Sequence, residues 1–154
     1  MIESFGWIIY FIKDWEPYFL VLKRQALSKK IEWTSPKWKA EEGENPVETA
    51  KREIFEETNL KPELLEEKWK LWDFMITFPT NSFSKKVTYF LFEYKWDPND
   101  VKICDSEGYL GVYRWLPIDK IINLIPYKGL REMYRKWYLM LRKWKVEKAR
   151  ENLT

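Results

Sequence analysis

Runs of apolar and aromatic residues, separated by short polar stretches, divide much of the chain into predicted strands. The runs are rich in β-branched and aromatic residues and are bounded by turn-forming residues, which favours strand over helix. The predicted strands are residues 4–12, 18–24, 31–33, 69–78 and 86–95. A turn at 14–17 separates the first two, which are predicted to form a hairpin. The aromatic run at 86–95 indicates burial on both faces, so we expect that strand to be central.

A helix is predicted between the third and fourth strands, beginning after Asn45 and ending near Asn59. Asn45 is a favourable N-cap, Pro46 suits the first helical position, and Glu48 completes the spacing of a capping box. Asn59 tolerates the left-handed conformation in which helices commonly end. One face of this helix is an apolar stripe for the core, formed by Val47, Ala50, Ile54 and Thr58.

A longer helix is predicted near the end of the chain from apolar residues that recur at intervals of three and four. This stripe consists of Leu130, Tyr134, Trp137, Leu141 and Trp144. The other face is basic and carries Arg131, Arg135, Lys136, Arg142, Lys143, Lys145, Lys148 and Arg150. A solvated surface is the simpler interpretation of this face. The alternative is an anion-attracting surface for polynucleotide or for the far end of a polyphosphate.

Three glutamates share the polar face of the first helix. Glu53, Glu56 and Glu57 stand at positions i, i+3 and i+4, so their carboxylates are expected to converge. Like charges at this spacing repel, and a divalent cation would compensate for them. Carboxylates are hard oxygen ligands of the kind that Mg²⁺ and Mn²⁺ prefer. The alternative interpretation is an ordinary solvated acidic face.

Composition narrows the possible chemistry. The 154 residues are expected to form a single domain, residues 1–154, with 45% apolar residues available for a core. The chain has no histidine, which excludes Ser-His-Asp triads and histidine-based zinc sites. The lone Cys104 excludes an internal disulfide and predicts a reducing, cytoplasmic location. The net charge of +3 suits an anionic substrate, and the longest apolar run, residues 5–12, is too short to span a membrane.

The spacing around the glutamates resembles the signature of the Nudix hydrolases. Glu44 is followed, after seven residues, by Arg52-Glu53-Ile54-x-Glu56-Glu57-x-x-Leu60. Two positions depart from the signature, because Trp38 and Asn59 stand where it has glycine. A left-handed backbone at Trp38 would cost roughly 1–2 kcal/mol, so either a remodelled loop or stacking of its ring is expected. The resemblance implies an α/β/α sandwich (α+β) with a central mixed sheet and a long C-terminal helix.

The loop before the helix resembles that of the diadenosine tetraphosphate hydrolase branch of the family. The shared pattern is Pro-Lys-x-x-x-Glu-x-Gly-Glu, which ends at Gly43 and Glu44. The resemblance implies that Arg52 pairs with Glu44 and holds this loop against the helix. Lys37 and Lys39 are candidates to bind phosphate oxygens, with loop solvation as the alternative.

Other candidates follow from the same resemblance. Lys86 is a candidate phosphate contact, and Tyr127 is a candidate to stack on a base, with a core tyrosine as the alternative. An extra acidic residue that reaches the metal or acts as a base is expected in the loop at 96–110. Glu107 is the first choice and Asp105 the second. Residues 112–119 resemble a late strand of the family, and a short helix at 119–124 is expected to follow it.

The resemblance implies an enzyme that hydrolyses a nucleoside polyphosphate with Mg²⁺ or Mn²⁺ bound by Glu53, Glu56 and Glu57. A metal-bound water would attack phosphorus, with Glu53, Glu56 or Glu107 as the base. The predicted substrate is a dinucleoside tetraphosphate such as diadenosine tetraphosphate. The alternatives are the 5′ end of RNA, a (deoxy)nucleoside triphosphate, or a binding module without catalysis. The expected partner is a small nucleotide, without a membrane, for a monomer or homodimer.

Overall fold

The computed structural model describes residues 2–25, 28–39, 41–78, 83–104 and 108–153. The strands in these ranges are β1 (Ile2–Lys13), β2 (Glu16–Gln25), β3 (Ile31–Thr34), β4 (Lys37–Lys39), β5 (Leu65–Phe78), β6 (Phe83–Tyr94) and β7 (Tyr109–Leu116). The α-helices are α1 (Pro46–Thr58), α2 (Ile118–Leu124) and α3 (Lys128–Leu153), and short 3₁₀ turns occupy Pro62–Leu64 and Pro98–Asp100. Across the described ranges, no helix combines the length and apolar character needed to cross a membrane.

One mixed sheet carries the described strands in the order β3-β2-β1-β6-β5, with β4 paired to β1 and β7 paired to β2. The β1–β6 pairing is parallel and the other pairings are antiparallel. The predicted hairpin of the first two strands is confirmed, and so is the interior position of the strand at 86–95. The predicted strand at 69–78 begins earlier, at Leu65, and the late strand ends at Leu116, so that α2 begins one residue before the expected start.

Alternating side chains of β1 divide the core between the two faces of the sheet. Phe5, Trp7 and Ile9 pack with Ala50 and Ile54 of α1. Ile8 and Tyr10 point to the opposite face, where they join residues of α2 and α3. The sandwich of helix, sheet and helix is therefore confirmed.

The predicted ends of α1 are confirmed. Asn45 Oδ1 accepts hydrogen bonds from the backbone N–H groups of Val47 (3.1 Å) and Glu48 (3.3 Å), as an N-cap does. Asn59 has φ 63°, and its N–H donates to the carbonyl of Phe55 (2.9 Å). Asn59 therefore adopts the left-handed conformation for which the Nudix signature has glycine.

The β1–β2 hairpin turns through only two residues, Asp14 and Trp15, since Lys13 pairs with Glu16. Both residues have positive φ, 51° and 69°. This is the backbone that a two-residue hairpin needs to match the strand twist, and Asn-Gly or Asp-Gly is its usual sequence. A tryptophan in the second position, where glycine is usual, is strained by roughly 1–2 kcal/mol.

Candidate functional site

The core contacts of α1 determine which of its faces carries the glutamates. Ala50 and Ile54 are fully buried, and the hydroxyl of Thr58 donates to the Ile54 carbonyl (2.6 Å). The side chains of Glu53 and Glu56 are 20% and 55% exposed, whereas Glu57 is 8% exposed. The three carboxylates therefore range from nearly buried to solvated along the edge of one helix face.

The guanidinium of Arg52 contacts two of these carboxylates. Its Nη1 lies 3.0 Å from Glu56 Oε1, and its Nη2 lies 3.5 Å from Glu53 Oε1. The hydrogen bond to Glu56 and the charge of that carboxylate raise the pKa of Arg52. Because Arg52 neutralises its own neighbours, the helix compensates for part of the repulsion that the sequence predicted.

The predicted pairing of Arg52 with Glu44 stays a prediction. The ion pairs of Arg52 are with Glu53 and Glu56, and the charge of Glu44 contributes less than that of Glu56 to the raised pKa of Arg52. Glu44 accepts hydrogen bonds from the N–H of Glu41 (3.0 Å) and from the hydroxyl of Thr49 (3.3 Å). Glu44 therefore fastens the loop to the first turn of α1.

The loop before α1 contains the predicted motif residue Gly43, which has φ +81°. A Cβ atom there would meet no atom within 4 Å, so the backbone conformation alone favours glycine. Trp38 behaves differently. It lies in β4 without positive φ, pairs with Phe5 of β1, and places its ring 6.3 Å from the Phe5 ring. The loop is remodelled as a strand at this position, and the strain considered for Trp38 does not arise.

The residues predicted to contact phosphate lie on β4 and β6, the two strands that pair with the first residues of β1. Lys37 and Lys39 are exposed on β4, paired with Gly6 and Ser4. Lys86 of β6 pairs with Glu3 in register, and its Nζ lies 4.0 Å from Glu3 Oε1. By strand alternation, Lys86 shares the face of β6 that packs towards α1.

Tyr127 lies just before α3 and is half exposed. Its hydroxyl donates to Glu32 Oε2 (2.6 Å), and burial together with this bond raises the pKa of Tyr127 to about 12. Glu32 of β3 is only 6% exposed and is a polar residue that the sequence analysis missed. Glu32 stands between Ile31 and Trp33 in a short predicted strand, and this position could have indicated a buried carboxylate.

Glu107 and Asp105, the candidate bases, lie outside the described residues. The described segment just before them is attached to the end of α1. The N–H of Cys104 donates to the carbonyl of Glu57 (3.1 Å), and the N–H of Lys102 donates to that of Thr58 (2.9 Å). The chain thus enters this loop beside Glu57.

A divalent cation suits the donor chemistry of the α1 face. Glu53, Glu56 and Glu57 supply the hard oxygen atoms that Mg²⁺ and Mn²⁺ prefer, and two of the three side chains are largely shielded from water. Within the described ranges, however, no three acidic, cysteine or histidine side chains are arranged as metal ligands. Arg52 contacts Oε1 of Glu53 and Oε1 of Glu56, so a cation would either share these carboxylates with Arg52 or displace it.

Comparison with known proteins adds to this geometry. A family model, the NUDIX domain, matches residues 6–138. An RNA pyrophosphohydrolase of Roseobacter denitrificans is 29% identical over 113 residues, which are 66% of this chain and 69% of that protein. The crystal structure of a C. elegans Ap4A hydrolase has a TM-score of 0.67 and 25% identity, covering 92% of this chain and 98% of that one. Its binary complex has a TM-score of 0.72 and 24% identity, covering 93% and 99%.

Proposed function

Because the chain belongs to the Nudix family, we propose that it hydrolyses a dinucleoside tetraphosphate such as diadenosine tetraphosphate, with Mg²⁺ or Mn²⁺ as the metal. The broader activity, pyrophosphohydrolysis of nucleoside polyphosphates, is that of the family. The similarity to the C. elegans Ap4A hydrolase over nearly the whole of both chains supports this substrate class.

The observation that carries the proposal is the arrangement of glutamates on α1. The helix is capped at both ends, is packed on the sheet through Ala50 and Ile54, and presents Glu53, Glu56 and Glu57 along one side. Glu57 is the most buried member of this set, at 8% exposed. A bound cation would add to the interactions that its carboxylate already makes within the fold.

The proposed mechanism assigns work to the residues of the chain. Glu53, Glu56 and Glu57 would hold the cation, which when bound neutralises polyphosphate charge and lowers the pKa of water. Arg52, which contacts Glu53 and Glu56, would supply a positive charge beside the phosphates if those carboxylates held the cation. The loop that Glu44 fastens to α1 would fix the approach of the substrate.

The general base is proposed to be Glu53, Glu56 or Glu107. Glu53 is partly shielded and Glu56 is exposed, so their environments differ in access to water. The support for Glu107 comes from Cys104, which precedes it by three residues. The N–H of Cys104 donates to the carbonyl of Glu57, so the chain enters this loop beside Glu57. Proton abstraction by such a group is typically worth 10²–10⁴-fold in rate.

Substrate contacts are proposed from charge and aromatic character. Lys37, Lys39 and Lys86 lie on β4 and β6 at the start of β1 and would stabilise phosphate oxygens as point charges. Tyr127 is proposed to stack on a base, since its ring is half exposed while its hydroxyl is held by Glu32.

A second candidate substrate, the 5′ end of RNA, is favoured by the similarity to an RNA pyrophosphohydrolase over two thirds of the chain. Nucleoside triphosphates form a third class. A binding module without catalysis is the alternative of another kind, although all three α1 glutamates are present.

A substrate panel tests the proposal. The purified protein is incubated with Mg²⁺ and, separately, diadenosine tetraphosphate, triphosphorylated RNA, capped RNA and oxidised dNTPs, and released phosphate and nucleotides are separated chromatographically. We expect diadenosine tetraphosphate to give the highest kcat/KM, with AMP and ATP as products. A higher kcat/KM on an RNA end would reassign the substrate. Nucleotide binding without turnover of any substrate would overturn the enzyme.

A further inference from the structure

A cavity lies between the tip of the β1–β2 hairpin and the second half of α3. Its volume is about 280 Å³, and we name it the Trp15 groove. Its lining includes Ile12, Trp15, Trp144, Lys145 and Lys148. Ligand pockets for drug-sized molecules usually begin at about 300 Å³, so the groove suits one flat ring system.

Trp15 is the unusual residue of this groove. Its backbone is left-handed (φ 69°), where glycine is usual, and its side chain is 77% exposed. Lys145 of α3 holds the turn, since its Nζ donates to the Trp15 carbonyl (2.9 Å) and lies 5.7 Å from the centre of the Trp15 ring. An exposed indole in a strained position contributes little to folding, which points to a role in binding.

The lining of the Trp15 groove carries more positive than negative charge. Its charged side chains are Lys68, Arg142, Lys145, Lys148, Glu16 and Glu93. Lys68 is paired with Glu93 (3.5 Å) and with Glu66 (2.9 Å), so the positive surplus of the groove lies on α3. Both carboxylates accept hydrogen bonds within the fold: Glu93 from the hydroxyl of Tyr10 (3.3 Å) and Glu16 from the hydroxyl of Tyr138 (3.3 Å). Lys145 and Lys148 are exposed along α3.

The Trp15 groove is separate from the proposed catalytic site. Tyr10, which lines it, belongs to the core beneath α3, whereas α1 packs on the opposite face of the sheet. Strand β4, which precedes α1 in the chain, pairs with β1 at Gly6, and Gly6 lies six residues before Ile12 of the groove. At about 3.3 Å per residue, the two positions on β1 are roughly 20 Å apart.

We propose that the Trp15 groove binds single-stranded nucleic acid. One base stacks on Trp15, and the adjoining phosphates contact Lys145 and Lys148. Sites of this kind combine an aromatic platform with a cationic track, and every base has a face that can stack. A duplex keeps its base faces covered and would meet only the cations. The proposal does not depend on the chemistry at α1.

The test measures binding of a 12-nucleotide RNA with a 5′-hydroxyl and a 3′ fluorophore by anisotropy, in EDTA. EDTA removes divalent metal, and the 5′-hydroxyl gives the α1 site no phosphate chain to hold, so binding reports on the groove. The variants are Trp15→Gly, Trp15→Phe and Lys148→Gln. Lys136→Gln is the matched control, since it removes one exposed charge from α3 outside the groove.

We expect Trp15→Gly to weaken binding by about 5- to 150-fold, the loss of one base–aromatic stack, and Trp15→Phe to retain most of the affinity. Lys148→Gln should reduce the slope of log K against log salt by about 0.7, and Lys136→Gln should leave it unchanged. Glycine fits the turn, so the thermal midpoint of Trp15→Gly should not fall.

Three results would overturn the proposal: unchanged RNA binding by Trp15→Gly, equal affinity for a 12-base-pair duplex, or equal effects of Lys136→Gln and Lys148→Gln. Turnover of diadenosine tetraphosphate by Trp15→Gly, measured separately with Mg²⁺, should equal that of wild type. Loss of RNA binding with intact turnover therefore separates this site from the α1 site.

Discussion

The orientation of α1 on the sheet decides where its glutamates point, and Ile54→Ala tests that orientation. Ile54 is fully buried in the core between α1 and the sheet, whereas the next residue, Phe55, is 44% exposed. Successive helical residues point about 100° apart, so the two substitutions probe different sides of the same turn.

We expect truncation of Ile54, the smaller side chain, to lower the free energy of unfolding more than truncation of the larger Phe55. Replacing a buried isoleucine with alanine costs about 2–5 kcal/mol, from lost burial and from the cavity left behind. Phe55→Ala removes a larger side chain that is already half solvated, and we expect it to cost less than about 1 kcal/mol.

The assay is urea unfolding followed by circular dichroism, with the free energy of unfolding compared at equal m-values. Ile54→Ala should lose at least twice as much as Phe55→Ala. If Phe55→Ala is the more destabilising of the two, α1 is rotated relative to the sheet. Glu53 and Glu57 would then not lie where the proposed mechanism needs them.

Two further predictions concern Asn59 and Tyr127. Asn59→Ala should destabilise the protein by about 1 kcal/mol because alanine resists φ 63°. Asn59→Gly should stay within about 0.5 kcal/mol of wild type, since glycine adopts this conformation readily. Urea unfolding checks both variants, and equal losses of stability would contradict the capping role of Asn59. The pKa of Tyr127 is raised to about 12, so its contribution to stability is complete below its ordinary pKa of 10.0 and is lost as pH rises through 12. Tyr127→Phe should therefore show a smaller fall in unfolding free energy between pH 9 and 12, and an unchanged fall would refute the bond to Glu32.

Local features of the chain were predictable because they depend on neighbouring residues. Asn45, Pro46 and Asn59 specify the ends of α1 through caps and φ preferences that act within one turn. The same locality explains the correct hairpin between β1 and β2. The layer arrangement came from the family resemblance, which α1 and the sheet then confirmed.

Contacts between distant residues were not predictable from the sequence alone. Tyr127 and Glu32 are 95 positions apart, and their bond depends on how β3 meets the start of α3. The ion pair of Arg52 with Glu56 is different, since it follows from the i, i+4 spacing on a helix, although the family pattern drew attention to Glu44 instead. At Trp38, pairing with Phe5 in a strand removed the strain that a glycine position implied.

The most direct test of the proposed chemistry is hydrolysis of diadenosine tetraphosphate at saturating Mg²⁺ by Glu57→Gln, with Glu48→Gln as the control. Both substitutions remove one carboxylate charge from α1, but Glu48 lies in the first turn, away from the three glutamates. We predict that Glu57→Gln lowers kcat/KM by about 100-fold or more, since charge stabilisation by a metal is worth several kcal/mol. Glu48→Gln should stay within a few fold of wild type. Turnover by folded Glu57→Gln that matches the control would contradict metal binding at Glu57.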